Sequence, residues 1–315
     1  MLRFLANRLL GALLVLFVVS LVTFALIWLV PGDVASQIAD PGASLEELAR
    51  IRRRLNLDQP WWDQLIAWYS NLLLRGDLGQ SFLLNRSVTD AILERLPVTL
   101  SLTFLALMVS LTLGIAAGVI AAVRHGTWVD QSAMTLALVG LSIPDFWLGL
   151  VGIYVFAVAL GWLPSGGFVP ITQDVFGWAR SMALPALALG LTQMGLLARI
   201  TRSSMLEVLN QDYVRTARAK GVPAWKVVTK HALANALIPV ITVAGVIVGV
   251  LLGGAIVIEQ VFSLPGVGRL VIGAVLRRDY PVIQGGLLLL ATIYVFVNIA
   301  VDMLYAYVDP RVRYG

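Results

Sequence analysis

Long stretches of this sequence contain no charged side chain. Leu9–Gly32 and Leu96–Val123 are uncharged over 24 and 28 residues, and 27 uncharged residues separate His231 from Glu259. A helix of about 20 apolar residues crosses the ~30 Å hydrocarbon core of a bilayer and satisfies its own backbone hydrogen bonds there. The runs lack the short alternating segments of a membrane β-barrel. They therefore predict an all-α membrane protein.

The spacing of the charged residues predicts six transmembrane helices. Hydrophobic residues make up 59% of the 315 positions and charged residues 13%, against roughly 45–50% and about 25% in soluble domains. The first run is too long for the apolar region of a secretory signal peptide, so we expect it to remain as a span. The predicted spans are 9–31, 98–122, 133–160, 182–200, 237–258 and 284–306.

Several kinds of chemistry are excluded by residues that the sequence lacks. Cysteine is absent, so disulfides, thiolate nucleophiles and Cys-ligated metals are ruled out. Histidine occurs only at His125 and His231, which argues against a His-rich metal site. The sequence contains no phosphate-binding Gly-x-x-x-x-Gly-Lys-Ser/Thr loop, no His-Glu-x-x-His and no Gly-x-Ser-x-Gly. We therefore expect no catalytic site, no cofactor and no metal ion in this chain.

The basic residues predict which side of the membrane each loop occupies. The net charge of +5 is small and is better explained by membrane orientation than by nucleic acid. With six spans, the termini and the loop 199–236 share a side that holds 12 Lys and Arg, whereas short loops on the other side hold 4. We therefore expect cytoplasmic termini and three regions. These are 1–31 with the first span, an external segment 32–97, and a five-helix core 98–315.

The external segment carries helix signals of its own. Ser44 and Glu47 fit a capping box that begins a helix through Leu57, and Pro60 suits the start of a second helix. The second helix would have an apolar, aromatic-rich face, which favours the headgroup layer or the docking of an external partner. The residues of that face are Trp61, Trp62, Leu65, Ile66, Trp68, Tyr69, Leu72 and Leu73.

The loop 199–236 is long and cytoplasmic, yet its sequence is typical of helix. Arg202–Lys220 contains neither Pro nor Gly; Gly221 then interrupts it, and Pro223 precedes a second helix from Ala224 to about Leu237. A rigid helix–glycine–helix projection suits insertion into a groove on a partner protein. The alternative is a basic hairpin that lies on anionic lipid.

This segment resembles the cytoplasmic loop of ABC importer permeases. That family carries Glu-Ala-Ala, three residues and Gly, and only Ala217 and Gly221 match it in kind, since Arg215 and Thr216 replace the first two residues. The family's later Leu-Pro is Leu-Ala here, with Pro239 five residues on. The sequences of residues 212–221 and 231–239 are similar to the corresponding sequences in the permeases of dipeptide, oligopeptide and nickel importers.

Further stretches, in the same order along the chain as in that subfamily, also resemble its B-type permease subunit. They are Pro31-Gly-Asp33, Gly76-Asp-Leu-Gly-Gln-Ser81, Ser142-Ile-Pro-Asp-Phe-Trp-Leu-Gly149, Phe262-Ser-Leu-Pro-Gly-Val-Gly-Arg269, Arg278-Asp-Tyr-Pro-Val-Ile-Gln284 and Asp302-Met-Leu-Tyr-Ala-Tyr-Val-Asp-Pro-Arg311. The resemblance therefore covers nearly the whole length of the sequence.

The resemblance implies a type I ABC importer permease fold in the inner membrane of a prokaryote. Its partners would be a second homologous permease subunit, two cytoplasmic ATPase subunits that hold ATP and Mg, and an external substrate-binding protein. The implied substrate is a small peptide, with a nickel chelate, glutathione or a sugar as alternatives. The residues implied in coupling to the ATPases are Asp212, Tyr213, Arg215, Ala217, Lys220, Gly221, Trp225 and His231.

Polar side chains within the apolar runs are candidates for the translocation path or its gate, because ionisable groups are costly inside a bilayer. They are Asp145, Glu259, Gln260, Asn298 and Asp302. The structural alternatives are a helix cap near a break for Asp145, solvation for Glu259 and Gln260, an interhelical bond for Asn298 and an interfacial position for Asp302. Two other functions stay open: an ATP-independent secondary transporter or channel, which would need internal repeats, and a membrane-embedded hydrolase.

Overall fold

The structure, a computed structural model, describes residues 2–29, 35, 43–54 and 57–308. Over these residues the chain is helical, apart from turns and one isolated antiparallel bridge between Gln80 and Ser87. The end of the first predicted span at residues 30–31, the stretch 31–33 and residues 309–311 lie outside the described residues. The architecture is that of an all-α membrane protein, as predicted.

Twelve α-helices lie within the described ranges. They are α1 (Leu2–Leu29), α2 (Leu45–Arg54), α3 (Trp61–Arg75), α4 (Val88–Val123), α5 (Trp128–Ser142), α6 (Asp145–Gly152), α7 (Val175–Leu209), α8 (Asp212–Ala219), α9 (Ala224–Lys226), α10 (Leu233–Val261), α11 (Val267–Arg277) and α12 (Tyr280–Val308). Two π-helical segments continue the chain without a break, Ile153–Ala159 after α6 and Val227–Ala232 between α9 and α10.

Five of the described helical stretches are long and apolar enough to cross a membrane, and a bent pair supplies a sixth if it forms one span. The five are α1, α4, α7, the continuous stretch Ala224–Val261, and α12. This agrees with the six predicted spans. Several helices extend well past the predicted boundaries, because a charged residue ends an apolar run without ending the helix. The clearest case is α4, which begins at Val88 and includes Asp90, Glu94 and Arg95.

The third predicted span, 133–160, is not one straight helix. Its two halves, α5 and α6, are bent by 98° relative to each other. Ile143 between them is extended, with φ −89° and ψ 129°, and Pro144 follows with ψ 139°. Proline lacks an amide hydrogen, and its ring disfavours the helical conformation of the preceding residue. Asp145 is the first residue of the helix after the break; the cap position belongs to Pro144, and no side-chain cap hydrogen bond is formed.

The chain divides into two compact units, of which the first comprises the described residues of 2–5, 98–265 and 296–308. Its core joins α4, α7 and α10 through fully buried side chains, among them Leu102, Leu197 and Leu251. Helix α7 lies close to its neighbours. A Cβ atom at Gly118 of α4 would lie only 2.6 Å from the carbonyl oxygen of Ala198 in α7. Glycine at this point therefore permits backbone-to-backbone contact between the two helices.

The second unit comprises the described residues of 6–97 and 266–295. Its core joins the start of α4 to α11 and the start of α12, with Val88, Ile92 and Val267 fully buried. The loop that follows Gln80 is held by the buried carboxylate of Asp279, which accepts hydrogen bonds from the Ser81 hydroxyl and from two backbone amides. Residues 76–81 and 278–284, two of the stretches that resemble the permease family, are thus in contact.

The helices predicted in the external segment are present. Glu47 accepts a hydrogen bond from the Ser44 amide at 2.9 Å, and the Glu47 amide donates to the Ser44 hydroxyl at 3.2 Å, which is the predicted capping box. Helix α2 is described over Leu45–Arg54, and Leu57, where it was predicted to end, lies in a turn. Helix α3 packs its aromatic face on α1, where the hydroxyls of Tyr69 and Ser20 are 2.6 Å apart. Trp61 and Trp62 on the same helix are exposed.

Candidate coupling site

The predicted helix–glycine–helix projection is formed by the end of α7, by α8, and by the stretch from α9 to α10. We call this segment, residues 205–236, the elbow. One part of the prediction is wrong: residues 202–220 are not a single helix, since α7 ends at Leu209 and α8 begins at Asp212. Gln211 between them is extended, with ψ 150°. The residues on either side of Gln211, Asn210 and Asp212, favour caps and turns over helix interiors, a signal for the break that the prediction missed.

Gly221 makes the turn that the sequence predicted. Its φ is +76°, a left-handed conformation that side chains with a Cβ rarely adopt. The Gly221 amide donates to the carbonyl of Arg218 at 3.0 Å, and the Val222 amide donates to the carbonyl of Ala217 at 3.2 Å. These bonds close the carboxyl end of α8. A Cβ atom at Gly221 would meet nothing within 4 Å, so backbone conformation rather than internal crowding requires glycine here.

Buried apolar side chains hold the elbow together, and one cluster of them also includes Ala122 of α4. Val214 of α8 and Val227 of the π-helical segment are 0% and 1% exposed. Met205 at the end of α7 packs with Ala232 and Ala236 in a separate buried cluster. An eight-residue helix has little stability of its own. The position of α8 therefore depends on this packing.

Side-chain hydrogen bonds join the two limbs of the elbow. The Asn235 amide donates to the Tyr213 hydroxyl at 2.8 Å. The Tyr213 hydroxyl and the Asn235 amide each lie 3.4 Å from the carbonyl oxygen of His231. The half-buried His231 thus takes part through its backbone, and its imidazole ring is left to packing or to contact with a partner.

The outer face of the elbow is exposed and mostly basic. Asp212 and Arg215 are 98% and 71% exposed, with 3.7 Å between their charged groups, so this surface pair contributes little stability. Trp225 is 65% exposed, and the Lys226 ammonium lies 5.4 Å from the centre of its ring. Lys220 and Gly221 are exposed and Ala217 is half-buried. The eight predicted coupling residues therefore occupy one continuous segment.

The predicted path residues are spread over three helices of the first unit. Glu259 near the end of α10 is 0% exposed and accepts a hydrogen bond from the Thr99 hydroxyl at 2.6 Å, so it is not simply solvated. Gln260 beside it is exposed. Asp145 faces α10, where a Cβ atom at Gly254 would lie 2.9 Å from its carboxylate. Asn298 and Asp302 lie one turn apart and half-buried on α12. A path lined by these residues stays a prediction.

Sequence reasoning missed the residues that hold the elbow in place. Val214 and Val227 could have been found as apolar positions on otherwise polar stretches. Asn235 gave no signal, because its partner lies 22 residues away. The buried Asp130 and its partner Arg202 are 72 residues apart and were missed for the same reason. Among the described residues, no group of three or more His, Asp and Glu is arranged to hold a metal ion.

Two family models match the chain and together cover most of it. Residues 114–314 match the binding-protein-dependent transport system inner membrane component. Residues 1–103 match the N-terminal part of the binding-protein-dependent transport system membrane component. The first match contains the whole elbow and all five predicted path residues.

Full-length relatives agree with these matches. A permease protein of Brucella abortus (strain 2308), whose name assigns it to a peptide transport system, is 51% identical over 98% of both chains. The dipeptide transport system permease protein of Alkalihalophilus pseudofirmus is 43% identical over 100% of both chains. The glutathione transport system permease protein of Escherichia coli O6:H1 is 45% identical, again over 100% of both.

The fold is also found in a solved structure. A chain of the MetNI methionine ABC transporter superposes with a TM-score of 0.54 at 21% identity, covering 67% of this chain and 93% of that one. At this level of identity the likeness concerns the fold alone. It agrees with the type I importer permease architecture predicted from the sequence.

Proposed function

This chain belongs to the inner membrane components of binding-protein-dependent transport systems, and we propose that its elbow couples it to cytoplasmic ATPase subunits. It is a permease subunit of an ABC importer. The observation that best supports this proposal is the elbow itself, a short exposed helix fixed by buried Val214 and turned at Gly221.

The elbow has the properties that a mechanical contact requires. Its outer face carries exposed side chains for a partner surface, and its inner face is packed against the ends of two long helices. A displacement of α8 would therefore move α7 and α10 rather than dissipate in a flexible loop. In this proposal the ATPase subunits bind ATP and Mg, hydrolyse the nucleotide and move the elbow; the chain itself contributes no catalytic group.

The proposed assembly places the elbow and both termini in the cytoplasm. The bias of Lys and Arg toward these loops supports that orientation. A second homologous permease would complete the translocation path, and an external binding protein would deliver the substrate. In the external segment, exposed Trp61 and Trp62 suit the headgroup layer of the bilayer.

The proposed substrate is a small peptide. Three relatives that match at full length are named for peptide, dipeptide and glutathione transport, and all three names denote amide-linked amino acids. Uptake of labelled di- and tripeptides by the complete complex in proteoliposomes would test this. Competition by a nickel chelate or a sugar, with no competition by peptides, would contradict it.

Replacing Gly221 tests the coupling role. Gly221→Val must place a β-branched side chain at φ +76°, so we expect the turn to shift and ATP-driven uptake to be lost while membrane insertion persists. Gly76→Val is the matched control, because Gly76 also ends a helix at positive φ (+62°) with nothing within 4 Å. Unchanged uptake by the Gly221 variant would contradict the proposal. Uptake by the purified chain alone, driven by an ion gradient, would favour a secondary transporter instead.

A further inference from the structure

Asp130 and Arg202 form a two-pronged ion pair outside the elbow, in which the Asp130 carboxylate is buried and the Arg202 side chain is 26% exposed. Asp130 lies in the first turn of α5 and is 3% exposed. The Arg202 Nε donates to Asp130 Oδ1 at 2.6 Å, and Arg202 Nη2 donates to Oδ2 at 2.8 Å. The Gly126 amide also donates to Oδ2, at 3.0 Å. The Nδ1 atom of His125 lies 3.1 Å from Asp130 Oδ2 and 3.1 Å from Arg202 Nη2.

The pair lies between the elbow and the broken third span. Arg202 is on α7, one turn before Met205, and Met205 packs with Ala232 and Ala236 in the elbow. Asp130 begins α5, the helix that leads to the bend at Pro144. A continuous route of packed atoms therefore runs from the elbow along α7, across the ion pair and into α5.

Helix α7 is in close contact with α4 and with α5 in the turns that lead to Arg202. A Cβ atom at Gly118 of α4 would lie 3.0 Å from the Arg202 amide nitrogen. A Cβ atom at Gly195 of α7 would collide with the carbonyl oxygen of Ala137 in α5. Helices packed this closely move as units instead of deforming continuously. The ion pair fixes their register along the axis, because a bidentate guanidinium–carboxylate contact accepts only one geometry.

Stability alone is a poor explanation for such a pair. Desolvation of the buried Asp130 carboxylate and of the half-buried Arg202 guanidinium offsets part of the attraction between them, and apolar residues of similar volume often stabilise a protein as well or better. Such a pair can instead specify one arrangement of helices over another. Here the arrangement that it specifies is that of α5 relative to α7.

We propose that the Asp130–Arg202 ion pair is the contact that transmits movement of the elbow to α5, the first half of the broken third span. The proposal rests on the function proposed above, since the movement comes from the ATPase subunits. Arg202 and Asp130 are positioning residues in this account. They touch neither substrate nor nucleotide, and they set how much of each ATP-driven displacement reaches the path.

The experiment uses the complete importer in proteoliposomes and measures both substrate uptake and ATP hydrolysis. Arg202→Lys keeps the charge but loses the two-pronged geometry. We expect it to lower the substrate carried per ATP by roughly fivefold or more, while basal ATP hydrolysis and assembly are kept. The control is Arg86→Lys, because Arg86 forms an exposed ion pair with Glu94 at 2.6 Å. That variant should carry as much substrate per ATP as the wild type.

A double variant provides a second test in case the Arg202→Lys importer fails to assemble. The chain has no native cysteine, so Asp130→Cys with Arg202→Cys introduces the only two thiols in this subunit. We expect the double variant to be uncoupled and a short thiol-reactive cross-linker of the same reach to restore uptake per ATP. No gain from cross-linking, or wild-type uptake per ATP in Arg202→Lys, overturns the inference. Absence of ATP-driven uptake in the wild-type complex would instead refute the proposed function.

Discussion

Tyr213 and Asn235 lie on opposite limbs of the elbow and are joined by a 2.8 Å hydrogen bond from the Asn235 amide to the Tyr213 hydroxyl. The bond connects α8 directly to α10, bypassing the glycine turn between them. Both side chains are largely exposed. The elbow is thus closed by a polar contact at its surface as well as by Val214 and Val227 beneath it.

Removing the Tyr213 hydroxyl should loosen the elbow without unfolding it. Tyr213→Phe keeps the ring and loses the hydrogen bond from Asn235 together with the longer one to the His231 carbonyl; a typical hydrogen bond is worth about 0.5–1.5 kcal/mol. We expect faster amide hydrogen exchange in 212–219 and lower uptake per ATP in the assembled importer. Tyr154→Phe is the control, since Tyr154 is an exposed tyrosine on the segment after α6. Equal exchange rates in the Tyr213 variant and the wild type would show that the bond does not hold α8.

A charge beneath α8 should release the helix from the body of the chain. Val214 is fully buried, so Val214→Asp would place an unpaired carboxylate in an apolar site, a change that costs several kcal/mol. We expect the importer to insert in the membrane but to lose binding of the ATPase subunits, measured by co-purification. Gln211→Asp adds the same charge at the exposed start of α8, where a carboxylate is favourable. It should retain ATPase binding, and equal loss in both variants would contradict the anchoring role of Val214.

The spans and the glycine turn could be predicted from the sequence because they depend on local properties. An apolar run long enough to cross a bilayer stands out without knowledge of its neighbours, and Gly221 followed by Pro223 marks a turn through backbone restrictions alone. The bend at Pro144 had the same kind of signal, but the apolar run continues through it and suggested one helix. The proline breaks the helix there, although the hydropathy of the run indicates a single helix.

The contacts that fix the site could not be predicted in the same way. Asp130 and Arg202 are far apart in the chain, and neither residue alone indicates the other as its partner. The break at Gln211 had a local signal in Asn210 and Asp212, but the burial of Val214, which positions α8 after the break, depends on contacts outside that helix. Glu259 at the end of an apolar run suggested solvation or a gate, whereas its burial against Thr99 depends on α4.

The buried Asp279 should prove essential to the second unit. Its carboxylate accepts hydrogen bonds from the Ser81 hydroxyl and from the amides of Phe82 and Leu83. Asp279→Asn removes the charge and one acceptor oxygen, and hydrogen bonds to charged groups are worth roughly 1.5–3 kcal/mol. We expect a lower melting temperature and faster proteolysis of the loop 81–87.

Asp58→Asn is the control for this variant, because the carboxylate of Asp58 lies in an exposed turn. Its melting temperature and its proteolysis should match those of the wild type. A melting temperature of the Asp279 variant within error of the Asp58 variant would mean that the loop is held by other contacts, such as the bridge between Gln80 and Ser87.

The proposed coupling role of the elbow is tested most directly by measuring on which side of the membrane the elbow lies and whether the ATPase subunits cover it. The chain has no native cysteine, so Lys220→Cys places a single thiol in this subunit, on the exposed end of α8. With a membrane-impermeant maleimide, we predict labelling in inside-out vesicles and none in right-side-out vesicles. We also predict that bound ATPase subunits protect the thiol. Labelling from the outside, or labelling unchanged by the ATPase subunits, would contradict the account.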